Sequence, residues 1–175
     1  MPEPVESINE LNRDLFNPEE VDVFSDPLKA RKKAMDYLAR REYGRLELQA
    51  KLENAGFDSE AARVAVDRLA IENLQCDRRF IEHFIQSRID KGKGPVRVRL
   101  ELDERKLEAG LVDEILSACG EDWLSMARQV REKKFGLELP ADFKEKARQM
   151  RFLQQRGFES EQIQAAMRIV ETGST

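Results

Sequence analysis

The stretch Leu52-Glu53-Asn54-Ala55-Gly56-Phe57-Asp58-Ser59-Glu60-Ala61-Ala62-Arg63-Val64-Ala65-Val66-Asp67-Arg68-Leu69 decides the fold, because its pattern returns twice. Phe57, Leu107 and Phe158 are separated by 50 and 51 residues, and five residues before them stand Leu52, Leu102 and Leu153. Five residues after them come Ala62, Val112 and Ile163; eight after, Ala65, Ile115 and Ala166; nine after, Val66, Leu116 and Met167; twelve after, Leu69, Cys119 and Val170. These offsets draw a single apolar stripe along a helix of period 3.6. Its return at a near-constant spacing marks a helical repeat.

Working outward, Gly56 and Gly157 sit where a left-handed residue would close the preceding helix. The middle copy has Lys106 there, so its second helix is expected to turn differently or to run on toward Gly110. Asp58-Ser59 and Ser160 are the expected caps of the next helix. A further helix precedes each pair, at about 27–42, 77–91 and 121–135, the first opened by Asp26-Pro27. The second helices are expected to begin near Gly44, Pro95 and Pro140. The chain is therefore expected to be all-α, a tandem array of three diverged three-helix repeats over 25–74, 75–120 and 121–172. Bundles this small must share faces with their neighbours, which predicts an elongated or curved body. Residues 1–24, with three of the six prolines and no sustained period, are expected to form a flexible acidic arm.

Composition excludes several functions. With 37% charged and 41% hydrophobic residues, the chain has no apolar run near the roughly 20 residues that span a bilayer. The start MPEPVESINELNRDLF lacks the basic and apolar regions of a secretory signal, which predicts a cytoplasmic protein. Cys76 and Cys119 lack a CxxC spacing and read as reduced thiols, Cys119 as a small hydrophobe within a helix. His83 is the sole histidine, flanked by core positions in Phe80-Ile81-Glu82-His83-Phe84-Ile85, where it reads as a packing or surface residue, and one histidine cannot make a His-pair zinc site. Lys91-Gly92-Lys93-Gly94-Pro95 lacks the GxxxxGK[ST] order and a preceding strand, so it is no nucleotide loop. It reads either as a connector or as a basic turn presenting a helix N-terminus to an anion. No enzyme, metal site or cofactor is indicated.

Charge is unevenly distributed. Residues 1–26 carry a net charge of −7, leaving +3 for the rest of a chain whose total is −4. Seven bases face two acids from Arg78 to Arg99, and eight bases face four acids from Lys29 to Glu53. The third-helix stretch Asp58–Glu72 reverses this, with four acids and two bases. A folded array is thus expected either to carry a basic and an acidic face or simply to present solvated helix surfaces.

Several segments together resemble the bacterial RecX family of recombinase regulators: Tyr37-Leu38-Ala39-Arg40-Arg41-Glu42-Tyr43, then Glu47-Leu48, Leu52 and Gly56-Phe57; Asp77-Arg78-Arg79-Phe80; Gly92-Lys93-Gly94-Pro95-Val96-Arg97-Val98 leading to Glu101-Leu102; and Leu153-Gln154-Gln155-Arg156-Gly157-Phe158. The match runs over about residues 28–171 in the family's order and spacing, with Lys106 in place of its usual glycine and Arg78 in place of a common second acid. The resemblance implies three tandem three-helix repeats that bind the RecA recombinase and its nucleoprotein filament. It further implies restraint of ATP hydrolysis, strand exchange and co-protease activity, within DNA repair and the SOS response, with no cofactor and as a monomer.

On that reading Arg40, Arg41, Arg45, Arg78, Arg79, Arg88, Lys93, Arg97 and Arg99 are expected to supply the contact surface. Tyr43 serves either as an aromatic anchor or as a helix–turn packing residue. The alternative is a helical-repeat protein that binds single- or double-stranded DNA directly. Few aromatic platforms and a mildly basic fold weigh against tight binding of that kind.

Overall fold

The computed structural model describes residues 23–120 and 122–168. Among them a 3-10 turn at Val23–Ser25 is followed by nine α-helices and no strand: α1 (Pro27–Leu38), α2 (Arg45–Glu53), α3 (Ser59–Ile71), α4 (Asp77–Asp90), α5 (Pro95–Asp103), α6 (Ala109–Ala118), α7 (Trp123–Phe135), α8 (Phe143–Gln155) and α9 (Ser160–Ala166). Acidic side chains start most of them by accepting otherwise unpaired first-turn N–H groups. Asp26 accepts from Leu28, Asp58 from Ala61, Glu108 from Gly110 and Leu111, Asp122 from Leu124 and Ser125, and Asp142 from Glu145.

The position five residues before each repeat marker has a physical meaning. The amide of Phe57 donates to the Leu52 carbonyl and that of Gly56 to Glu53; Phe158 donates to Leu153 and Gly157 to Gln154. These are the two hydrogen bonds of a Schellman closure, in which the residues five apart are the apolar pair that seals the helix end. Lys106 closes the middle copy with the inner of these two bonds, at φ 55° with its amide donating to Asp103, so that helix ends at the equivalent place and does not continue to Gly110. Gly110 lies in the first turn of α6. A side chain in this left-handed region costs about 1–2 kcal/mol, outweighed here by closure and packing.

The described residues fall into two compact units, one built from residues up to Arg41 with Glu47–Gln75, the other from Glu42–Leu46 with the chain from Cys76 on. In the first unit α1 packs on α3. Ala30 and Ala34 on α1 and Ala61, Ala62 and Ala65 on α3 are buried, with Val66 and Leu69, and the small side chains let the helices approach closely. Leu48 and Leu52 add the buried face of α2. The second unit has two apolar clusters. Phe80, Ile81, Phe84, Ile85, Val98, Leu102, Val112, Ile115 and Leu116 form one; Met126, Ala127, Leu153, Phe158, Ile163 and Ala166 form the other. Ile89 and Trp123 pack against both and make them continuous.

The start of α5 meets the α8–α9 turn backbone to backbone. The Gly94 amide donates to the Arg156 carbonyl at 2.8 Å and the Val96 amide to the Gly157 carbonyl at 3.1 Å. A methyl group on Gly94 would lie 2.4 Å from the Gly157 oxygen, and one on Gly157 would lie 2.3 Å from Arg97 Cβ. An earlier seam has the same register: Gly44, 50 residues before Gly94, lies against Leu107 and Phe80. There the Arg45 amide donates to the Asp77 carboxylate at 2.8 Å.

Several boundaries differ from those expected. Helix α1 ends at Leu38 rather than near 42, because Tyr43 and Gly44 are buried and Glu42 pairs with Arg79 in the second unit, which needs a non-helical approach. Helix α8 starts at Phe143, three residues past Pro140, where Asp142 supplies the cap. Glu159 rather than Ser160 caps α9, in a capping box with Gln162. Cys119 is exposed at the end of α6 rather than packed as a hydrophobe, its thiol 3.0 Å from the Leu116 carbonyl. The acidic arm up to residue 22 lies outside the described residues; Phe24, at its expected end, packs edge-on against Phe57 with centroids 5.8 Å apart.

Candidate partner-binding surface

Helices α4 and α5 hold most of the basic residues expected to meet a partner, and most of these arginines are ion-paired within the chain. Arg78 on α4 reaches Glu114 on α6 at 2.9 Å, and Arg99 on α5 pairs with the adjacent Asp113. Arg79 on α4 reaches Glu42 at 2.9 Å, and Arg41 pairs with Glu47 at 2.7 Å. Arg88 from α4 and Arg97 from α5 converge on Glu101 at 2.5 and 2.8 Å. Arg105 donates to the Glu101 carbonyl beside them. The guanidinium groups of Arg88 and Arg105 also stack on Phe84, at 4.1 and 4.5 Å from the ring centroid.

These pairs differ in how firmly they are held. The side chains of Arg88 and Glu101 are 19% and 14% exposed, so this pair is largely shielded from solvent. Burial opposes ionisation of Glu101, but the hydrogen bonds from Arg88 and Arg97 outweigh it and hold the carboxyl below the usual carboxylate range. By contrast Arg78–Glu114 and Arg99–Asp113 are about half exposed on each side. Such surface pairs contribute about 0–1 kcal/mol each, so an incoming carboxylate or phosphate can replace the intramolecular acid at little loss. The hydrogen bond and charge of Glu114 raise the Arg78 guanidinium above its ordinary value, and Glu42 acts likewise on Arg79.

Arg40 is exposed at the end of α1, and Lys93 is half-buried in the α4–α5 turn. Neither makes an ion pair among the described residues. Arg45 is exposed at the first position of α2. Tyr43 is buried, which places it as a packing residue.

The structure thus draws Arg78 and Arg99 together over adjacent acids of α6, and Arg88 and Arg97 around Glu101. It does not separate a basic from an acidic face there, since acids of the third helix lie against bases of the first two. The first unit repeats this, with Arg31 and Arg68 both on Glu72.

The turn Lys91–Pro95 is a connector. At the start of α5 the Gly94 and Val96 amides already donate to the Arg156 and Gly157 carbonyls, which takes two of the first-turn donors an anion would use. His83 is exposed on α4. Base counts along the chain do not single out Lys133, Lys134, Arg148, Arg151 and Arg156, yet these gather beside the second apolar cluster. The visible signals are the doublet Lys133-Lys134 and the one-turn spacing of Arg148 and Arg151. No helix is long and apolar enough to cross a membrane among the described residues.

Models of the first, second and third three-helix domains of RecX match residues 30–69, 77–116 and 120–167. Among curated relatives, the regulatory protein RecX of Halorhodospira halophila is 45% identical over 133 residues, covering 76% of this chain and 83% of that protein. The regulatory protein RecX of Pseudomonas syringae pv. tomato is 43% identical over 141 residues, covering 81% and 91%. RecX from Lactobacillus salivarius shares the fold at 18% identity, with a TM-score of 0.67 over 81% of this chain and 94% of that one. With the three domain models in chain order on three helix triplets, and close relatives spanning most of its length, the chain belongs to the RecX family of regulatory proteins.

Proposed function

We propose that the chain binds a RecA-type recombinase filament and restrains its ATP hydrolysis, strand exchange and co-protease activity, acting in the cytoplasm and without turnover of its own. Family membership supports the partner. The observation that supports the mode is the weakly held positive charge: Arg78 and Arg99 sit in half-exposed pairs, and Arg40 and Lys93 make no ion pair among the described residues. Binding exchanges Glu114 and Asp113 for acids of the filament or phosphates of its DNA, and tandem domains add weak contacts by effective concentration. Arg88 and Arg97 act indirectly, by fixing α4 against α5 through Glu101.

The test is co-sedimentation with recombinase filaments on single-stranded DNA, read with ATP hydrolysis. Reversing charge at Arg78, Lys93 and Arg99 together should weaken binding and inhibition by about tenfold or more. Unchanged inhibition would refute this surface. Direct DNA binding is the competing reading, favoured by the same exposed bases. A steep salt dependence of tight binding to bare single-stranded DNA, with no recombinase present, would establish it instead.

A further inference from the structure

A cleft of about 570 Å³ opens where the end of α4 meets α7 and α8, away from the arginine pairs on α6. Its rim carries Lys91, Lys133, Lys134 and Arg156 against a single acid, Asp90. Asp90 is already engaged by the Gln86 amide at 2.9 Å. The floor is apolar: Ile89, Val130 and Phe152 line it and belong to the packing around the second core cluster. A second cleft of about 480 Å³ shares Lys134 and Phe152 as its wall and adds Phe135 and Arg151.

A structural reading accounts for part of this. Lys133 and Lys134 stand in the last turn of α7, where cations complement the helix dipole. That explains two bases but not the apolar hollows beneath them, nor the convergence of Lys91 and Arg156 from other elements. Arg156 is held in place from two sides. Its Nη1 donates to the Lys91 carbonyl at 2.9 Å, and its guanidinium lies 5.1 Å from the Phe152 centroid. A fork fixed in advance loses less entropy on meeting a carboxylate.

The aromatic rings point to the class of partner. Phe135 and Phe152 meet edge to face at 5.2 Å, and guanidinium groups lie over both, Arg148 on Phe135 and Arg156 on Phe152. A nucleic-acid base needs an open ring face for stacking. An acidic peptide needs the cations that cover these rings and the aliphatic hollows beside them.

We propose that this pair of clefts binds an acidic segment of a partner protein that seats apolar side chains in the hollows and carboxylates on Lys91, Lys133, Lys134 and Arg156. This goes beyond the filament surface described above, uses other residues, and is testable with no recombinase present. The probe is a short fluorescein-labelled peptide of Glu and Asp interspersed with Leu and Phe, titrated with the full chain by fluorescence anisotropy. Binding should weaken by about tenfold or more in Lys133→Glu/Lys134→Glu, and by less in Lys133→Gln/Lys134→Gln. It should weaken similarly when Ser replaces Leu and Phe in the peptide at equal charge, a comparison made on the unaltered protein. The pair Lys29→Glu/Lys32→Glu on α1, which lines neither cleft, should stay within about twofold. Absence of binding, equal affinity for the Ser peptide, or indifference to both Lys133/Lys134 variants would overturn the proposal. So would a single-stranded oligonucleotide that displaces the peptide and binds more tightly than it through the same lysines.

Discussion

Gly157→Ala should destabilise the second unit by about 2–5 kcal/mol, a figure built from two contributions. The first is conformational: φ at Gly157 is +87°, where an alanine costs about 1–2 kcal/mol. The second is the seam. The added methyl would fall 2.3 Å from Arg97 Cβ and 2.5 Å from its backbone nitrogen. Non-bonded carbons prefer about 3.5–4.0 Å, so α5 and the α8–α9 turn must part by about 1 Å. That stretches the Gly94–Arg156 and Val96–Gly157 hydrogen bonds, now 2.8 and 3.1 Å. At about 0.5–1.5 kcal/mol net for each, their loss adds about 1–3 kcal/mol.

Two companion variants separate the contributions. Gly94 has an ordinary φ of −79°, so Gly94→Ala tests the close approach alone and should cost about 1–3 kcal/mol. Gly136 has φ +92° and ψ 175°, a conformation essentially confined to glycine, with nothing within 4 Å of an added methyl, so Gly136→Ala should cost only the conformational strain of about 1–3 kcal/mol. The double variant Gly94→Ala/Gly157→Ala should cost less than the sum of its parts, because both open one seam. Urea denaturation monitored by far-UV circular dichroism measures all four. If Gly94→Ala unfolds within about 0.5 kcal/mol of the unaltered protein, or the double variant is strictly additive, the seam is not the close backbone contact described.

The remaining expectations concern single side chains. Lys106→Gly should stabilise by about 0.5–1 kcal/mol, since relief of the left-handed strain exceeds the added freedom of the unfolded chain; a lower urea midpoint would refute it. Arg131 is 2% exposed and donates to the carbonyls of Leu137 and Glu138 and to Gln149. Arg131→Met should therefore cost about 1–3 kcal/mol and speed amide exchange across 136–142, and unchanged exchange there would count against it. Glu101 has a carboxyl held below its unfolded value, so its contribution is present above the unfolded pKa and fades as pH falls through the folded one. Glu101→Gln should flatten the acid limb of the stability profile, and an unaltered limb would contradict this.

Periodicity alone is enough to find the three triplets, since an apolar stripe at offsets of five, eight, nine and twelve admits only a helix. The same spacing places Leu52, Leu102 and Leu153 at helix ends. The boundaries set by distant partners were less legible. Nothing near Leu38 signals the stop of α1; beyond it Tyr43 is buried and Gly44 lies against Phe80 and Leu107, residues that follow much later in the chain. Lys106 likewise violates a local preference that only closure and packing can override.

Positive charge at Arg78–Arg99 is plain from composition, but charge counts do not reveal partners. Glu101, Asp113 and Glu114 neutralise that run because helix packing brings α6 and α5 against α4. The turn Lys91–Pro95 likewise has the composition of an anion site, yet the Gly94 amide and that of Val96 just after it are taken by carbonyls more than 60 residues away. Helix type, repeat and apolar stripe follow from residues within a turn or two of one another, which the linear order holds together. Which charges stay free, which glycines must remain glycines, and where cations gather over an apolar floor depend on elements brought together only by folding.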